Sequence, residues 1–415
     1  MQHFELEILM KRKISRRGFI IKHSQIMLSI SLASYFSIPM NVIPLYANDS
    51  LKIDNIHKKN DLTILNDRPI NAETPPHLLD DTITPTNRHF VRNNGIMPDL
   101  SYNEISNWKL RIEGNVKNPK IYSIKDLKSN FEVITKSLQL ECGGNGRAFF
   151  EPPALGNQWS YGAISCSEWT GVRLSDVIKS SGIKPSSIYT GHYGADLHLS
   201  GDVNKNALSR GVPIKKALDD NNIIAFAMNN KKIPLIHGSP LRIICPGWPG
   251  STSQKWLTKI KLLDHVHDGT KMTGKSYKVP INPTRPGEKV DISDYKIIHS
   301  MPIKSLITYP ETALNHNSLK LNVRGHAWAG DKSVKKVEIS IDYGSSWQLT
   351  DLKKPINNYA WQDWQTQIIF PSKGYFEIWC KATDEDNRAQ PFDISWNPKG
   401  YLNNSIHRIF TNINI

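Results

Sequence analysis

One cysteine in a glycine-rich stretch is the residue best suited to chemistry in this chain. Cys142 stands within LQLECGGNGR, residues 138–147, five positions before Arg147. The chain holds four cysteines and none of them forms a C-x-x-C pair, so neither a redox dithiol nor a zinc knuckle is indicated. A lone thiolate on a loop of small residues suits a soft metal whose other ligands come from a cofactor.

Cys142 also has an ordinary structural interpretation, because free cysteines are usually small buried hydrophobic residues. The neighbouring glycines and the nearby cation argue against a core strand. Two arginines could bind a tetrahedral oxyanion, since a guanidinium donates paired hydrogen bonds and keeps its charge. They are Arg147 and Arg92, the latter within HFVRNNG at residues 89–95. Taken singly, each could equally be a surface or ion-paired arginine.

Length and composition indicate a globular protein with two or more domains. The chain has 415 residues, of which 39% are hydrophobic and 22% are charged. A formal net charge of +14 would suit nucleic acid, a membrane surface or small anions. The sequence lacks both a long Lys/Arg tract and a nucleic-acid motif, so we expect no nucleic-acid partner and favour anions or an acidic protein.

The first 47 residues have the pattern of an export signal. KRKISRRGFI at residues 11–20 is a twin-arginine motif, an apolar run at 26–44 follows it, and Ala47 is a plausible cleavage point. We therefore expect export of the folded protein to the periplasm by the twin-arginine route, which often implies a cofactor inserted in the cytoplasm. An N-terminal membrane anchor is the alternative, although the run is barely long enough to span a bilayer. After processing we expect no stable membrane span.

Residues 48–290 are expected to form an arm and an α+β domain. Residues 48–85 are polar and rich in Pro, Asn and Asp, which predicts an extended arm. Over residues 86–290, short apolar runs alternate with helix-like pieces. Residues 175–178 resemble a helix start, and residues 223–228 and 241–245 have the pattern of buried strands.

The pattern changes after about residue 295. Residues 319–323, 337–341 and 375–380 read as strands, and DYGSS at 342–346 predicts a turn. Several short strands in close succession indicate an immunoglobulin-like β-sandwich, which we place at residues 291–415.

These motifs resemble the sulfite oxidase family of molybdopterin enzymes. Cys142 with its loop, Trp159 and GAI at residues 162–164 carry the family resemblance. Longer runs are similar to one branch, the sulfane dehydrogenase catalytic subunit of the bacterial Sox sulfur-oxidation system. Those runs are residues 142–153, 156–159, 168–174, 71–75 and 396–401. The resemblance implies a sulfite-oxidase-type molybdopterin-binding domain followed by a sandwich that mediates dimerisation.

The resemblance also implies roles for the residues at matching positions. Cys142 would be the thiolate ligand of molybdenum. The cofactor would be bound by Phe90, Val91, Arg92, Asn93, Asn94, Asp196, His237, Arg242, Ser253, Gln254 and Lys255. The catalytic positions would be Arg92, Arg147, Trp159, Tyr277 and Lys399. Molybdopterin ends in a phosphate, for which His237, Arg242 and Lys255 would supply cationic donors.

Several of these residues have ordinary alternatives when taken alone. His237 could be a satisfied core histidine, and Asp196 a turn residue after Gly194. Tyr277 could be an interfacial tyrosine with a solvated hydroxyl, and Trp159 a core residue.

Two positions depart from the animal and plant sulfite oxidases. Asn94 stands where those enzymes usually carry histidine, and Lys399 where they carry a second substrate arginine from the sandwich. Lysine keeps the charge but loses the bidentate fork, so a small sulfite anion should be held less firmly. This departure favours a sulfur atom bound to a carrier protein as the substrate.

We therefore expect an exported oxidoreductase that oxidises a sulfur substrate by oxygen-atom transfer. The resemblance implies Mo-molybdopterin, with one molybdenum per chain. Because the chain has no C-x-x-C-H haem attachment sequence, electrons need an outside acceptor. Family resemblance makes that acceptor a c-type cytochrome, and implies a homodimer or a heterotetramer with a cytochrome subunit.

Three alternatives stay open. The first is a periplasmic sulfite dehydrogenase that acts on free sulfite. The second is a cofactor-free protein that binds anions or partners through its sandwich, against which the presence of Cys142, Arg147, His237, Arg242 and Lys255 argues. The third is a reductase of oxidised methionine, whose relatives on this core fold usually lack a C-terminal sandwich.

Overall fold

The computed structural model describes residues 61–415. The predicted export signal at residues 1–47 and the start of the expected arm lie outside these residues. Strands dominate the described part of the chain, and its α-helices are only four to seven residues long. No helix within 61–415 combines the length and the apolar character that crossing a bilayer requires.

The strands before residue 300 are, in chain order, β1 (Thr63–Asp67), β2 (Ile70–Glu73), β3 (Val91–Arg92), β4 (Lys109–Gly114), β5 (Lys120–Ser123), β6 (Val133–Glu141), β7 (Ile164–Arg173), β8 (Tyr189–Gly194), β9 (Ser209–Arg210), β10 (Ile223–Met228), β11 (Lys231–Lys232), β12 (Arg242–Ile244), β13 (Leu257–Leu263), β14 (Lys278–Pro280) and β15 (Tyr295–Ile297). Those after it are β16 (Lys304–Tyr309), β17 (Leu314–His316), β18 (Lys320–Trp328), β19 (Val334–Ser340), β20 (Gln348–Leu349), β21 (Asp351–Leu352), β22 (Gln362–Ile369), β23 (Gly374–Asp384) and β24 (His407–Ile413). The α-helices are α1 (Tyr102–Ser106), α2 (Ile124–Asn130), α3 (Leu174–Ser180) and α4 (Ile214–Ala217). Short 3-10 helices occur at Pro76–Leu78, Thr86–Arg88, Arg147–Phe149, Leu235–His237, Gly250–Thr252 and Ile292–Asp294.

Two five-stranded sheets form the first domain. One has the order β11-β10-β7-β6 with β12 also on β10, and the other has the order β5-β4-β13-β8-β9. Side chains of both sheets, including Ile112, Val172, Ile224 and Ile260, share one hydrophobic core. The strands predicted at residues 223–228 and 241–245 correspond to β10 and β12, and the predicted helix start lies within α3.

The described part of the expected arm is more ordered than the sequence suggested. Residues 63–73 form an antiparallel hairpin of β1 and β2, and β3 extends it to a three-stranded sheet. All four residues of β2 are buried. The Glu73 carboxylate accepts hydrogen bonds from the backbone N–H and the hydroxyl of Ser160, both at 2.8 Å. The Asp80 carboxylate accepts a hydrogen bond from Arg324 of the second domain at 2.6 Å. Residues 61–85 therefore pack against both domains, because polar side chains that look suited to an arm find partners there.

The second domain is a sandwich of two antiparallel-rich sheets, as the sequence predicts. Their orders are β16-β18-β22-β21 and β17-β24-β23-β19-β20. Strand β18 alternates exposed and buried residues at its start, and its inward Leu321 and Val323 join one apolar core with Trp364 and Ile378. The predicted turn at residues 342–346 lies between β19 and β20.

Candidate active site

One cavity gathers most of the predicted site residues. Those that line it are Phe90, Arg92, Asn93, Asn94, Cys142, Asp196, His237, Arg242, Ser253, Gln254, Lys255 and Tyr277. They come from segments as far apart as residues 90 and 277. Their convergence is what the resemblance implied, although the role of each residue stays a prediction.

Cys142 enters the cavity wall because it follows the last residue of β6. Its N–H donates to the Ala163 carbonyl at 2.9 Å, and its side chain is buried. The preceding carboxylate of Glu141 accepts from Lys304 at 2.6 Å and from Trp328 at 2.9 Å. Both donors belong to the sandwich, so the second domain fixes the strand end that presents the thiol.

Arg147 accounts for one glycine of the loop after Cys142 and for one in the C-terminal segment. Its Nε donates to the Lys399 carbonyl at 2.8 Å, and its Nη1 donates to the Asn157 carbonyl at 2.9 Å. A Cβ at Gly144 would lie 2.3 Å from Arg147 Nη2, and one at Gly400 would lie 2.7 Å from Arg147 Cγ. Only glycine permits this approach, which ties the loop to the C-terminal segment.

Asn94 is the centre of a hydrogen-bonded group on one side of the cavity. Its Oδ1 accepts from Arg92 Nη2 at 3.0 Å, from Lys271 Nζ at 2.8 Å and from the Tyr277 hydroxyl at 3.0 Å. Burial acts to lower the pKa of Arg92, but the Tyr277 hydroxyl and the hydrogen-bonded Cys142 thiol raise it above its usual value. Two cations and a phenol are thus held together beside the thiol.

Three residues at or beside this cavity have a left-handed backbone conformation. Trp256, Lys271 and Tyr277 have φ values of 46°, 69° and 54°, which bulky residues rarely adopt. Trp256 and Tyr277 line the cavity, and Lys271 bonds to a residue that does. Strain of this kind persists where the surrounding structure holds it, most often at functional sites.

A second group of cations lies deeper in the cavity. Arg242 donates to the His237 carbonyl at 2.7 Å and to the Ser253 carbonyl at 3.3 Å. Lys255 donates to Asn93 Oδ1 at 2.6 Å and to the Ile236 carbonyl at 2.7 Å. All these acceptors are neutral, so they direct the cations without neutralising them.

Burial changes the protonation equilibria of this group. It lowers the pKa of Arg242 to about 9, and burial with repulsion from Arg242 lowers the pKa of Lys255 well below its usual value. Burial also raises the pKa of Asp196, the acidic residue in the lining, to about 6. Burial therefore disfavours the charged forms of Arg242 and Lys255, and a bound anion would stabilise them.

The residues present fit a phosphate-bearing cofactor held by one thiolate. Three buried polar atoms of the lining have no hydrogen-bond partner among residues 61–415: Ser251 Oγ, Gln254 Oε1 and Arg242 Nε. The same residues contain no cluster of three or more His, Cys, Asp or Glu side chains that could hold a metal. A metal beside Cys142 would therefore take its remaining ligands from a cofactor, and molybdopterin is a cofactor that supplies them.

Comparison with known proteins agrees with this geometry. Residues 95–271 match the oxidoreductase molybdopterin binding domain, and residues 295–414 match the Mo-co oxidoreductase dimerisation domain. Mitochondrial sulfite oxidase of Macaca fascicularis is 30% identical over 363 residues. The chain belongs to the sulfite oxidase family of molybdopterin oxidoreductases. Its cofactor is Mo-molybdopterin, which confirms the prediction from sequence.

Further similarity extends across both domains of this sulfite oxidase family member. The macaque match covers 84% of this chain, which spans 65% of that protein's length. Mitochondrial sulfite oxidase of Rattus norvegicus is 29% identical, with 90% of this chain and 69% of that protein covered. The crystal structure of the sulfane dehydrogenase SoxCD from Paracoccus pantotrophus superposes with a TM-score of 0.69 at 26% identity, covering 83% of this chain and 87% of that chain. The predicted fold class is confirmed.

Four predicted positions lie outside the cavity lining among residues 61–415. Val91 is a buried residue of β3, and Trp159 is fully buried in the core beside Phe90. Arg147 braces the loop, and Lys399 is half-buried with its carbonyl bonded to Arg147. Their predicted contacts with cofactor or substrate stay predictions.

The structure adds residues that sequence reasoning did not select. His89 lines the cavity, with its ring centroid 5.0 Å from that of His237. Asn71 Oδ1 accepts from the Asn93 N–H at 2.8 Å and so supports the segment that carries Arg92. Lys271 reaches Asn94 from a distant loop. The position of His89 beside Phe90 was a usable signal, whereas nothing local marked Lys271.

Proposed function

We propose that this protein oxidises a reduced sulfur substrate at its molybdopterin site and passes the electrons to a separate acceptor. The observation that carries the proposal is the buried cationic cavity with the Cys142 thiol in its wall. Such a cavity stabilises negative charge strongly, because water is largely excluded and the donors are already oriented. The bound cofactor supplies two-electron oxygen-atom transfer, and the protein supplies position, charge and access.

The lining divides naturally between the two ends of the cofactor. Arg242, Lys255 and His237 would bind the phosphate, since cationic donors in a buried site suit that group. Asp196 and the Phe90–Asn94 segment would hydrogen-bond the pterin. The Cys142 sulfur would ligate molybdenum as a thiolate.

The other wall would receive the substrate. Arg92, Lys271 and Tyr277 converge on Asn94 and lie near the thiol, so they can orient an anionic sulfur group. Lys399 offers a point charge where the animal and plant enzymes carry an arginine, which weakens bidentate binding of a small oxyanion. We infer that the natural substrate is sulfane sulfur on a carrier protein, and the similarity to SoxCD supports this choice.

Free sulfite is the second candidate substrate. It is favoured by the similarity to the animal sulfite oxidases. For either substrate we propose a c-type cytochrome as acceptor, a homodimer or a heterotetramer with that cytochrome, and a periplasmic location reached by twin-arginine export.

The test uses the full chain produced in a host that makes molybdopterin. We expect about one molybdenum per chain and a molybdenum(V) electron paramagnetic resonance signal on partial reduction. Steady-state assays with a c-type cytochrome should give a higher kcat/KM for carrier-bound sulfane sulfur than for sulfite. A higher value for sulfite would select the second candidate, and a folded protein without molybdenum would favour a cofactor-free anion-binding protein.

A further inference from the structure

Arg210 is a buried cation next to the site, outside the predicted set. It ends β9, where it pairs with His192 of β8, and its side chain is 1% exposed. None of its three guanidinium nitrogens has a hydrogen-bond acceptor within residues 61–415. Burial lowers the pKa of this guanidinium.

Such an arrangement works against stability. A buried charge without a partner is strongly unfavourable, and a hydrophobic side chain of similar volume would pack at no such cost. Groups that destabilise a fold in this way are typical of positions where activity depends on them. The contacts of Arg210 point to what it does.

Arg210 begins a column of stacked groups that crosses between the domains. Its Cζ lies 4.9 Å from the ring centroid of Tyr277. That ring stacks on Tyr401 of the C-terminal segment, with centroids 5.8 Å apart and planes at 22°. The Tyr401 ring is in turn 5.1 Å from Cζ of Arg147. Each tyrosine therefore has a guanidinium against it, and cation–π attraction is strongest where water is excluded.

Tyr277 needs such support because its backbone is strained. Its φ is 54°, and its N–H donates to the Tyr401 hydroxyl at 3.3 Å. In this position its own hydroxyl donates to Asn94 Oδ1 at 3.0 Å, at the cavity. A ring free to rotate away would break the group that joins Arg92, Lys271 and Asn94.

We propose that Arg210 is a positioning residue, which holds the Tyr277 ring so that its hydroxyl faces the cavity, and that the fold gives up stability for it. The proposal rests on the proposed function, since the value of the alignment lies in orienting the sulfur substrate. Displacements of about 1 Å in a site can lower activity about a hundredfold, so holding one ring in place can matter greatly.

The test compares R210M, R210K and Y277F in the full, cofactor-loaded protein, together with the R210M/Y277F double variant. We expect R210M to raise Tm by about 2 °C or more, because the unpaired charge is gone. It should lower kcat/KM for the sulfur substrate by about tenfold or more, and R210K should recover most of the loss. In the Y277F background, R210M should have no further effect, because no hydroxyl remains to be placed.

K216M is the matched control. Lys216 is a buried cation of the same domain, but it is paired with Asp331 at 2.8 Å. We expect K216M to lower Tm and to leave kcat/KM unchanged. The proposal would be overturned if R210M lowered Tm and left kcat/KM unchanged, as expected of K216M. It would also be overturned if R210M lowered kcat/KM by the same factor in the Y277F background as in the parent protein.

A crystal structure of R210M separates this proposal from the proposed function. We expect the Tyr277 hydroxyl to move out of hydrogen-bonding distance of Asn94, whatever substrate the enzyme uses. Retention of that hydrogen bond would overturn the role of Arg210. Another outcome is that the parent protein oxidises no sulfur compound while R210M loses this hydrogen bond. That result would reject the proposed function and would still support the positioning of Tyr277 by Arg210.

Discussion

Most buried Lys and Arg side chains of the first domain have no carboxylate partner among residues 61–415, whereas the buried Lys304 of the sandwich has one. In the first domain, Arg210 and Arg242 are buried and Lys255 is half-buried, and none of the three forms an ion pair with a carboxylate among residues 61–415. Lys216 is the exception, since it is paired with Asp331 at 2.8 Å. At the sandwich, Lys304 is buried against Glu141 at 2.6 Å and His326 against Asp363 at 3.0 Å. The sandwich also has an apolar core.

This difference suits the first domain to anion binding and the sandwich to structural support. Unpaired cations in the first domain raise its free energy, and a bound anion can recover that energy. Lys304 of the sandwich already has a carboxylate partner, so a ligand would recover no such energy there. The candidate site lies in the first domain, where most buried cations lack counterions among residues 61–415. The sandwich holds the loop of Cys142 in place.

The largest effect is expected at the thiol. C142S should abolish turnover, a loss of at least about a thousandfold, because serine is a poor ligand for a soft metal. Folding and export should be largely unchanged, so molybdenum content and kcat measure the effect. C380S in the sandwich core is the control, with turnover retained; activity in C142S would contradict the ligand assignment.

Removing one buried cation from each domain should give opposite changes in stability. K304M leaves the Glu141 carboxylate buried without its ion pair and should lower the free energy of unfolding by about 3–5 kcal/mol. R242M removes a cation that lacks a counterion, so the cofactor-free protein should unfold at an equal or higher denaturant concentration. Molybdenum content of R242M should fall. A loss of stability in both variants would remove the contrast between the domains.

Acid should affect the two domains alike, because each buries a neutral histidine. Burial lowers the pKa of His407 in β24 and of His192 in β8 to about 3. The unfolded chain binds a proton below about pH 6.5, so each histidine lowers stability as pH falls from 6.5 towards 3, by about 1.4 kcal/mol for each pH unit. Above pH 6.5 the contribution is constant.

H407N tests this acid response, since asparagine can accept the Ile307 N–H as His407 Nδ1 does at 3.1 Å. Its urea midpoint should depend less on pH between 3 and 6.5 than that of the parent protein. An unchanged pH dependence would show that His407 is already charged in the folded protein.

The smallest effect is expected at Lys399. K399R restores a bidentate donor and should lower KM for free sulfite about two- to fivefold, a change of less than about 1.4 kcal/mol. K373R, at an exposed position of the sandwich, is the control. No improvement in KM would weaken the argument for a carrier-bound substrate.

Much of the site could be predicted because its residues sit in short local patterns. Cys142 within its glycine-rich loop, and the runs around Arg92, His237 and Lys255, each mark themselves by residue type and spacing. One loop glycine proved to have a second cause, since Gly144 lies against Arg147. The sequence did not show how residues 61–85 pack, because a polar composition does not reveal partners such as Ser160 for Glu73.

The sequence by itself determined the fold family, the two-domain order and the cofactor, and it predicted the thiol ligand, since periodicity and local motifs are written in consecutive residues. Tertiary structure alone decided which cations stay unpaired, how Asn94 gathers Arg92, Lys271 and Tyr277, and how Arg210 meets Tyr277. Lys304 and Glu141 are 163 positions apart, and the interior charge balance depends on contacts at such separations. Burial sets the free energy of a charge, and burial is a property of the folded chain.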